Sequence, residues 1–176
     1  MMKILICGFS GAGKSTWLQE LRNNRGSILD FRFYDLDELI AENVGVGPSE
    51  LGQYISNVGE LAFREVELKL LMEKLKSDES FVLSLGGGAL NPQIIEYISQ
   101  YSSKIKLVFL NEEVEICIER IKNDSNRLLS KLTNSELKNL YFKRLDLYLK
   151  ADLIVSNYDR KLIDGLDRLV HTLSMK

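Results

Sequence analysis

The chain has 176 residues, a formal net charge of −2, 45% hydrophobic and 27% charged residues, which is the balance of one soluble globular domain with a sizeable core. Near-neutral charge gives no basis for nucleic-acid recognition, and no apolar run is long enough to cross a bilayer, so neither kind of partner is expected. A first strand beginning almost at Met1 leaves no room for a cleavable leader, so we expect a cytoplasmic protein.

The apolar run Ile4-Leu5-Ile6-Cys7 predicts a strand and leads into Gly8-Phe9-Ser10-Gly11-Ala12-Gly13-Lys14-Ser15-Thr16, which fits G-x-x-x-x-G-K-[ST]. Strand, glycine loop and helix in that order surround phosphate oxygens with backbone N–H groups and the positive end of a helix dipole. A nucleotide is the expected ligand, bound by Gly11, Ala12, Gly13, Lys14, Ser15 and Thr16. Lys14 would reach the β- and γ-phosphates, and the Ser15 hydroxyl would ligate the Mg²⁺ between them.

Trp17, Leu18 and Leu21 follow at helical spacing, and Asn23-Asn24-Arg25-Gly26 ends that helix. Phe31-Arg32-Phe33-Tyr34 has strand propensity and leads into Asp35-Leu36-Asp37, where residues two apart share a strand face. Beside a phosphate loop, two such acids can ligand Mg²⁺ and receive a proton from an attacking hydroxyl. The bland alternative is helix capping, since Asp37-Glu38 also suits a helix N-terminus.

Gly and Pro between Val44 and Ser49 mark a break before helices over 49–55 and 59–76. Arg64 and Glu67 stand three apart on the second of these and share a face, as an ordinary surface ion pair or as part of a site. Residues 80–85 read as a buried strand that stops at Gly86-Gly87-Gly88, whose bare backbone permits close approach of a ligand at the carboxyl edge of the sheet. Then come a helix from Asn91-Pro92 to Tyr101, a strand over 105–110 and a helix over 112–121 that ends with Arg120 and Lys122. The polar stretch 122–135, with Arg127 among small polar residues, reads as a mobile lid. A helix over 136–150 contains Arg144, a short strand covers 153–155, and 161–173 predicts one closing amphipathic helix.

This βα alternation predicts an α/β fold in three layers, with a parallel sheet of about five strands and helices on both faces. It also predicts one domain over 1–176, with a helical segment at about 38–76 and the lid at about 122–135. Cys7 and Cys117 have no metal-ligand spacing and read as reduced, packed thiols, while His171 reads as a surface or packing residue.

The ordered motifs resemble the shikimate kinases, a branch of the small-molecule P-loop kinases, along nearly the whole chain. The resemblance rests on the phosphate loop, Asp35-Leu36-Asp37 for D-x-D, Gly59-Glu60-Leu61-Ala62-Phe63-Arg64-Glu65-Val66-Glu67 for G-E-x-x-F-R-x-x-E, Leu85-Gly86-Gly87-Gly88-Ala89, and Arg144-Leu145-Asp146-Leu147-Tyr148 for R-x-x-L-Y. It implies ATP-dependent phosphorylation of shikimate in aromatic amino acid biosynthesis, with ATP and Mg²⁺ bound. By resemblance, Asp37, Arg64, Gly86, Gly87, Gly88 and Arg144 would bind the cyclic hydroxy acid, both arginines meeting its carboxylate, with Glu67 orienting Arg64. Ser15 and Asp35 would serve the metal, Lys14, Asp37 and Arg127 would carry catalysis, and Arg120 would lie beside the adenine. Trp17-Leu18 stand where the family usually has a glycine, so the first helix must pack differently. The partners expected are the hydroxy acid and ATP, and the protein is expected to be a monomer. Two rival readings use the same residues: a kinase of this fold acting on another small hydroxy acid or sugar acid such as gluconate, and a nucleotide-binding paralogue without turnover.

Overall fold

A computed structural model describes residues 1–124 and 128–175. Five parallel strands form one sheet: β1 (Lys3–Cys7), β2 (Phe31–Asp35), β3 (Ser80–Ser84), β4 (Ile105–Asn111) and β5 (Leu153–Ser156), in the order β2-β3-β1-β4-β5. β1 is central, with Lys3 level with Phe81 on one side and with Ile105 on the other. The chain leaves β1 toward one edge of the sheet and later returns to its other side. Such a reversal opens a crevice at the carboxyl end of the first strand, where the glycine loop begins.

Alternation along the strands sorts the core into two layers. Leu5 and Cys7 of β1 join Phe81, Leu83, Leu107 and Phe109 on one face, while Ile4 and Ile6 join Val82, Val108 and Leu110 on the other. The first face is covered by helices that include α2 (Leu36–Val44), α4 (Glu60–Lys76), α5 (Pro92–Gln100), α6 (Val114–Lys122) and α7 (Asn134–Tyr148). Between α2 and α4, a 3-10 turn (Pro48–Glu50) leads into α3 (Leu51–Val58). The second face is covered by α1 (Lys14–Asn23) through Trp17, Leu18 and Leu21, and by α9 (Leu166–Ser174) through Leu166, Leu169 and Leu173. Trp17 is 1% exposed and fills this layer, with its indole N–H buried and unpaired among the described residues, so the departure at Trp17-Leu18 is absorbed by packing.

Several boundaries differ from expectation. The single closing helix is two: α8 (Asn157–Leu162), whose Ser156 cap exchanges hydrogen bonds with Asp159, and α9. The break is made by Asn24, whose carbonyl accepts from Leu166 N while its amide donates to the Asp164 carbonyl; a β-carbon on Gly165 would lie 2.9 Å from that Asn24 oxygen. The helix expected at 136 starts at Asn134, because Thr133 and Glu136 form a capping box. Within the expected lid, Leu128–Lys131 is a 3-10 turn, and Lys122 Nζ donates to the carbonyls of Ser130 and Leu132. Finally, Asp37 is not on the strand. β2 ends at Asp35, and Asp37 lies in the first turn of α2, so the two acids do not share a strand face.

Both cysteines are buried and free, and burial pushes the Cys7 thiol up to about 12, which keeps it an inert core group. His171 is exposed on α9. Among the described residues no helix is long and apolar enough to cross a membrane.

Candidate active site

The phosphate loop is shaped by its glycines. Gly13 takes φ 93° as it hands the chain into α1, and Gly11 takes φ 83° against the backbone of α6, where a β-carbon would lie 2.7 Å from the Cys117 carbonyl oxygen. Both conformations suit glycine and strain any other residue. Lys14 is buried and donates at 3.0 Å to the carbonyls of Gly8 and of Phe9. Desolvation lowers its pKa, and the charges of Asp37 and Asp35 oppose that shift.

Asp35 performs two tasks at the end of β2. Its Oδ1 accepts from Asp37 N at 3.0 Å, capping α2, and its Oδ2 accepts from the Ser15 hydroxyl at 2.6 Å. The helix cap expected around Asp37-Glu38 is made by Asp35, with Asp37 and Glu38 in the first turn behind it, and it coexists with a hard oxygen pair beside the phosphate loop. Asp37, two residues on, lines the open cleft. Its pKa is raised to about 6, first by desolvation inside the cleft and then by Asp35. The carboxyl keeps solvent contact through the cleft mouth while protein surrounds its other sides.

Opposite the loop, the triple glycine forms the floor of the cleft, and each glycine is needed for what comes close to it. A β-carbon on Gly86 would lie 2.9 Å from Glu67 Oε1 and 3.0 Å from Asp37 Oδ1; one on Gly87 would lie 3.0 Å from Ser10 N. At Gly88 it would lie 2.6 Å from Arg64 Nη2 and 2.8 Å from Arg144 Nη2, so guanidinium groups from α4 and α7 converge on one point. Arg64 is held there by Glu67 at 2.6 Å and by Glu60 at 3.3 Å. Burial opposes its charge, but the two carboxylates outweigh burial and its pKa rises. Glu67 is 3% exposed, so this is no surface pair; burial lifts its pKa even with Arg64 beside it. Arg144 makes no ion pair among the described residues, and burial lowers its pKa.

One cavity of about 870 Å³ joins these parts, with Lys14 and Ser15 at one end, Arg64 and Arg144 at the other, and Asp37 and the triple glycine between them. Ala12 is buried in the core beneath the loop end, which Gly11, Gly13 and Thr16 line. Arg120 also lies there: it donates at 2.8 Å to the Gly11 carbonyl and pairs at 3.1 Å with buried Glu112. The candidate residues other than Ala12 and Asp35 therefore line one crevice, which Asp35 reaches through its bond from Ser15, and Arg127 lies outside the described residues.

Two nearby residues carried no assignment from sequence. Arg160 of α8 makes a two-pronged pair with Glu20 of α1, and its Nη1 lies 3.2 Å from where a Gly13 β-carbon would be. Its position, between the strand expected over 153–155 and the helix expected over 161–173, carried no signal. Tyr148 of α7 donates at 2.5 Å to the Gly87 carbonyl. Its position in R-x-x-L-Y was visible, but a tyrosine's partner across 61 residues was not.

The shikimate kinase family model matches residues 10–174. The chain belongs to the shikimate kinase family. The shikimate kinase of Chlorobaculum tepidum is 34% identical, over 97% of this chain and 89% of its own length, and that of Streptococcus gordonii is 32% identical over 98% and 100%. Among solved structures, a shikimate kinase from Acinetobacter baumannii in complex with shikimate aligns with a TM-score of 0.79 at 27% identity, covering 100% of this chain and 95% of that one. The Aquifex aeolicus shikimate kinase aligns with a TM-score of 0.70 at 28% identity over 97% and 98%. Shikimate kinases are small-molecule kinases with ATP as the phosphoryl donor, so the expected fold and enzyme class hold, and a paralogue without turnover is set aside.

Proposed function

We propose that this protein transfers the γ-phosphoryl group of ATP to the 3-hydroxyl of shikimate, giving shikimate 3-phosphate and ADP. The observation that carries this reading is the convergence of Arg64 and Arg144 at Gly88, with Asp37 between them and the phosphate loop. Two planar guanidinium groups suit one carboxylate, and they lie at the far end of a cavity whose near end suits a triphosphate. A ring acid held there by its carboxylate would turn a hydroxyl toward Asp37.

Asp37 orients that hydroxyl and accepts its proton as the oxygen bonds to the γ-phosphorus and the bond to the ADP oxygen breaks. A carboxylate with a pKa of about 6 is a stronger base than an ordinary aspartate and is still ionised near neutrality. Lys14 leaves its carbonyl partners for the phosphate oxygens and offsets their charge, and Arg120 borders the nucleotide end. Most of the rate enhancement is positioning and charge neutralisation, because a loose phosphoryl transition state asks little covalent chemistry of the protein.

The oxygen pair of Ser15 and Asp35 fits Mg²⁺, which takes one or two protein oxygens and fills its other positions with phosphate and water. When bound, the ion would neutralise phosphate charge. The site has no need of a larger cage, and no group of three or more His, Cys, Asp or Glu fit for a metal occurs among the described residues.

The test is ADP release from ATP over a panel containing shikimate, shikimate lacking its carboxylate, and gluconate. Shikimate should be turned over with the highest kcat/KM. Equal turnover of the decarboxylated analogue, or preference for gluconate, overturns the assignment.

A further inference from the structure

The triple glycine is more than a bare floor. Ala89 N donates to the Gly86 carbonyl at 3.1 Å, which closes a β-turn with Gly87 and Gly88 at its two corners. The peptide between the corners can face either way: in a type II turn Gly88 would take positive φ, and in a type I turn the same peptide is rotated by about half a turn. Glycine accepts both, so the local sequence leaves the choice open. Here Gly88 is not at positive φ, and the peptide is trans.

The choice is made from beneath the floor. Tyr148 is 2% exposed, sits in the core layer with its ring stacked on Phe109 at 5.1 Å between centres, and donates its hydroxyl proton to the Gly87 carbonyl. That carbonyl belongs to the peptide between the two corners. In a planar trans peptide the C=O and the following N–H point in opposite directions, so a carbonyl held down to Tyr148 turns the Gly88 N–H up into the cavity that Gly88 lines. No hydrogen bond among the described residues uses that N–H. A β-carbon on Gly88 would touch Nη2 of both Arg64 and Arg144, so the N–H lies where the two guanidinium groups converge.

We propose that Tyr148 is a positioning residue that sets the central peptide of this turn, so that the Gly88 N–H is a third donor to the substrate carboxylate beside Arg64 and Arg144. This rests on the reading that the two arginines bind that carboxylate. Without the hydroxyl the Gly87 carbonyl would be buried and unpaired, which favours turning it toward the water of the cavity. The flip takes a donor away from the carboxylate and sets a carbonyl oxygen against it.

Tyr148→Phe keeps the ring on Phe109 and removes the hydroxyl. It should raise the KM for shikimate by about 10-fold, the scale of one hydrogen bond to a charged group, with the KM for ATP and kcat at saturating acid within about twofold of wild type. Toward shikimate lacking its carboxylate, variant and wild type should have the same kcat/KM, because the N–H acts on that group alone. Tyr148→Met, which fills the slot over Phe109 without a hydroxyl, serves if the phenylalanine form does not fold. The proposal is overturned by an unchanged shikimate KM, by equal rises for shikimate and ATP, or by an equal loss toward the decarboxylated analogue. Wild-type protein inert toward shikimate sinks the functional reading and this proposal together; wild-type turnover with an indifferent Tyr148→Phe sinks this proposal alone.

Discussion

The two ends of the cavity are built from different material. At the nucleotide end the walls are backbone: glycines at positive φ, the Cys117 carbonyl behind Gly11, and carbonyls of Gly8 and Phe9 holding Lys14. At the acid end the walls are the tips of long side chains, Arg64, Glu67, Asp37 and Arg144, brought by α2, α4 and α7 to a glycine floor. A backbone wall is rigid and indifferent to the third substituent of its ligand, which suits a phosphate common to many reactions. A side-chain wall is set by separate elements, which suits discrimination among acids.

The sharpest break in the comparison is at Asp37, which stands between the two ends. Asp37→Asn should lower kcat by roughly 10²–10⁴-fold, as loss of a base or orienting group does. Its effect on stability should have the opposite sign. The folded-state pKa of about 6 is above the ordinary 3.8, so the folded protein binds this proton more tightly than the unfolded chain, and the group costs stability as pH rises from about 4 through 6. In ligand-free protein Asp37→Asn should therefore melt higher than wild type at pH 8, and the gap should close by pH 4. A gap that widens on acidification contradicts the strained-carboxylate account.

Lys14→Ala acts at the nucleotide end alone and should cost roughly 10²–10³-fold in turnover, the scale for removal of one preorganised charge-stabilising donor, with a native circular dichroism spectrum. Unchanged turnover would remove Lys14 from the chemistry. Arg144→Ala acts at the acid end alone: the shikimate KM should rise roughly 10- to 150-fold while the ATP KM stays near wild type. If the ATP constant moves instead, the two ends are not separate.

The smallest effects separate the two wall materials directly. Gly11→Ala forces a side chain into φ 83° and against the Cys117 carbonyl, neither of which can give way, so it should lose about 1–3 kcal/mol of stability in a thermal or urea melt. Gly88→Ala meets first the ends of Arg64 and Arg144, which can swing aside, so stability should stay within about 0.5 kcal/mol while acid affinity falls. Equal destabilisation by both would mean that the acid end is as rigid as the phosphate loop.

The glycine loop between β1 and α1 was legible in the sequence, because a strand, a glycine loop and a helix are consecutive and the loop's shape lies in the backbone that those residue types allow. The parallel sheet was legible as well, since the central strands are apolar on both faces and each crossover needs a helix. The sequence also brought Arg64 and Glu67 together, because residues three apart on a helix share a face. Only the tertiary structure decided that Arg64 and Arg144 meet at Gly88, that Asp35 caps α2 while reaching Ser15, and that Arg160 lies beside Gly13. It likewise decided that the closing helix is broken by Asn24 and that Tyr148 finds the carbonyl of Gly87. These are meetings of residues far apart in the chain, set by how helices lie on a sheet. Local periodicity says which face of a helix is apolar, but it carries no information about which distant atom that face will touch.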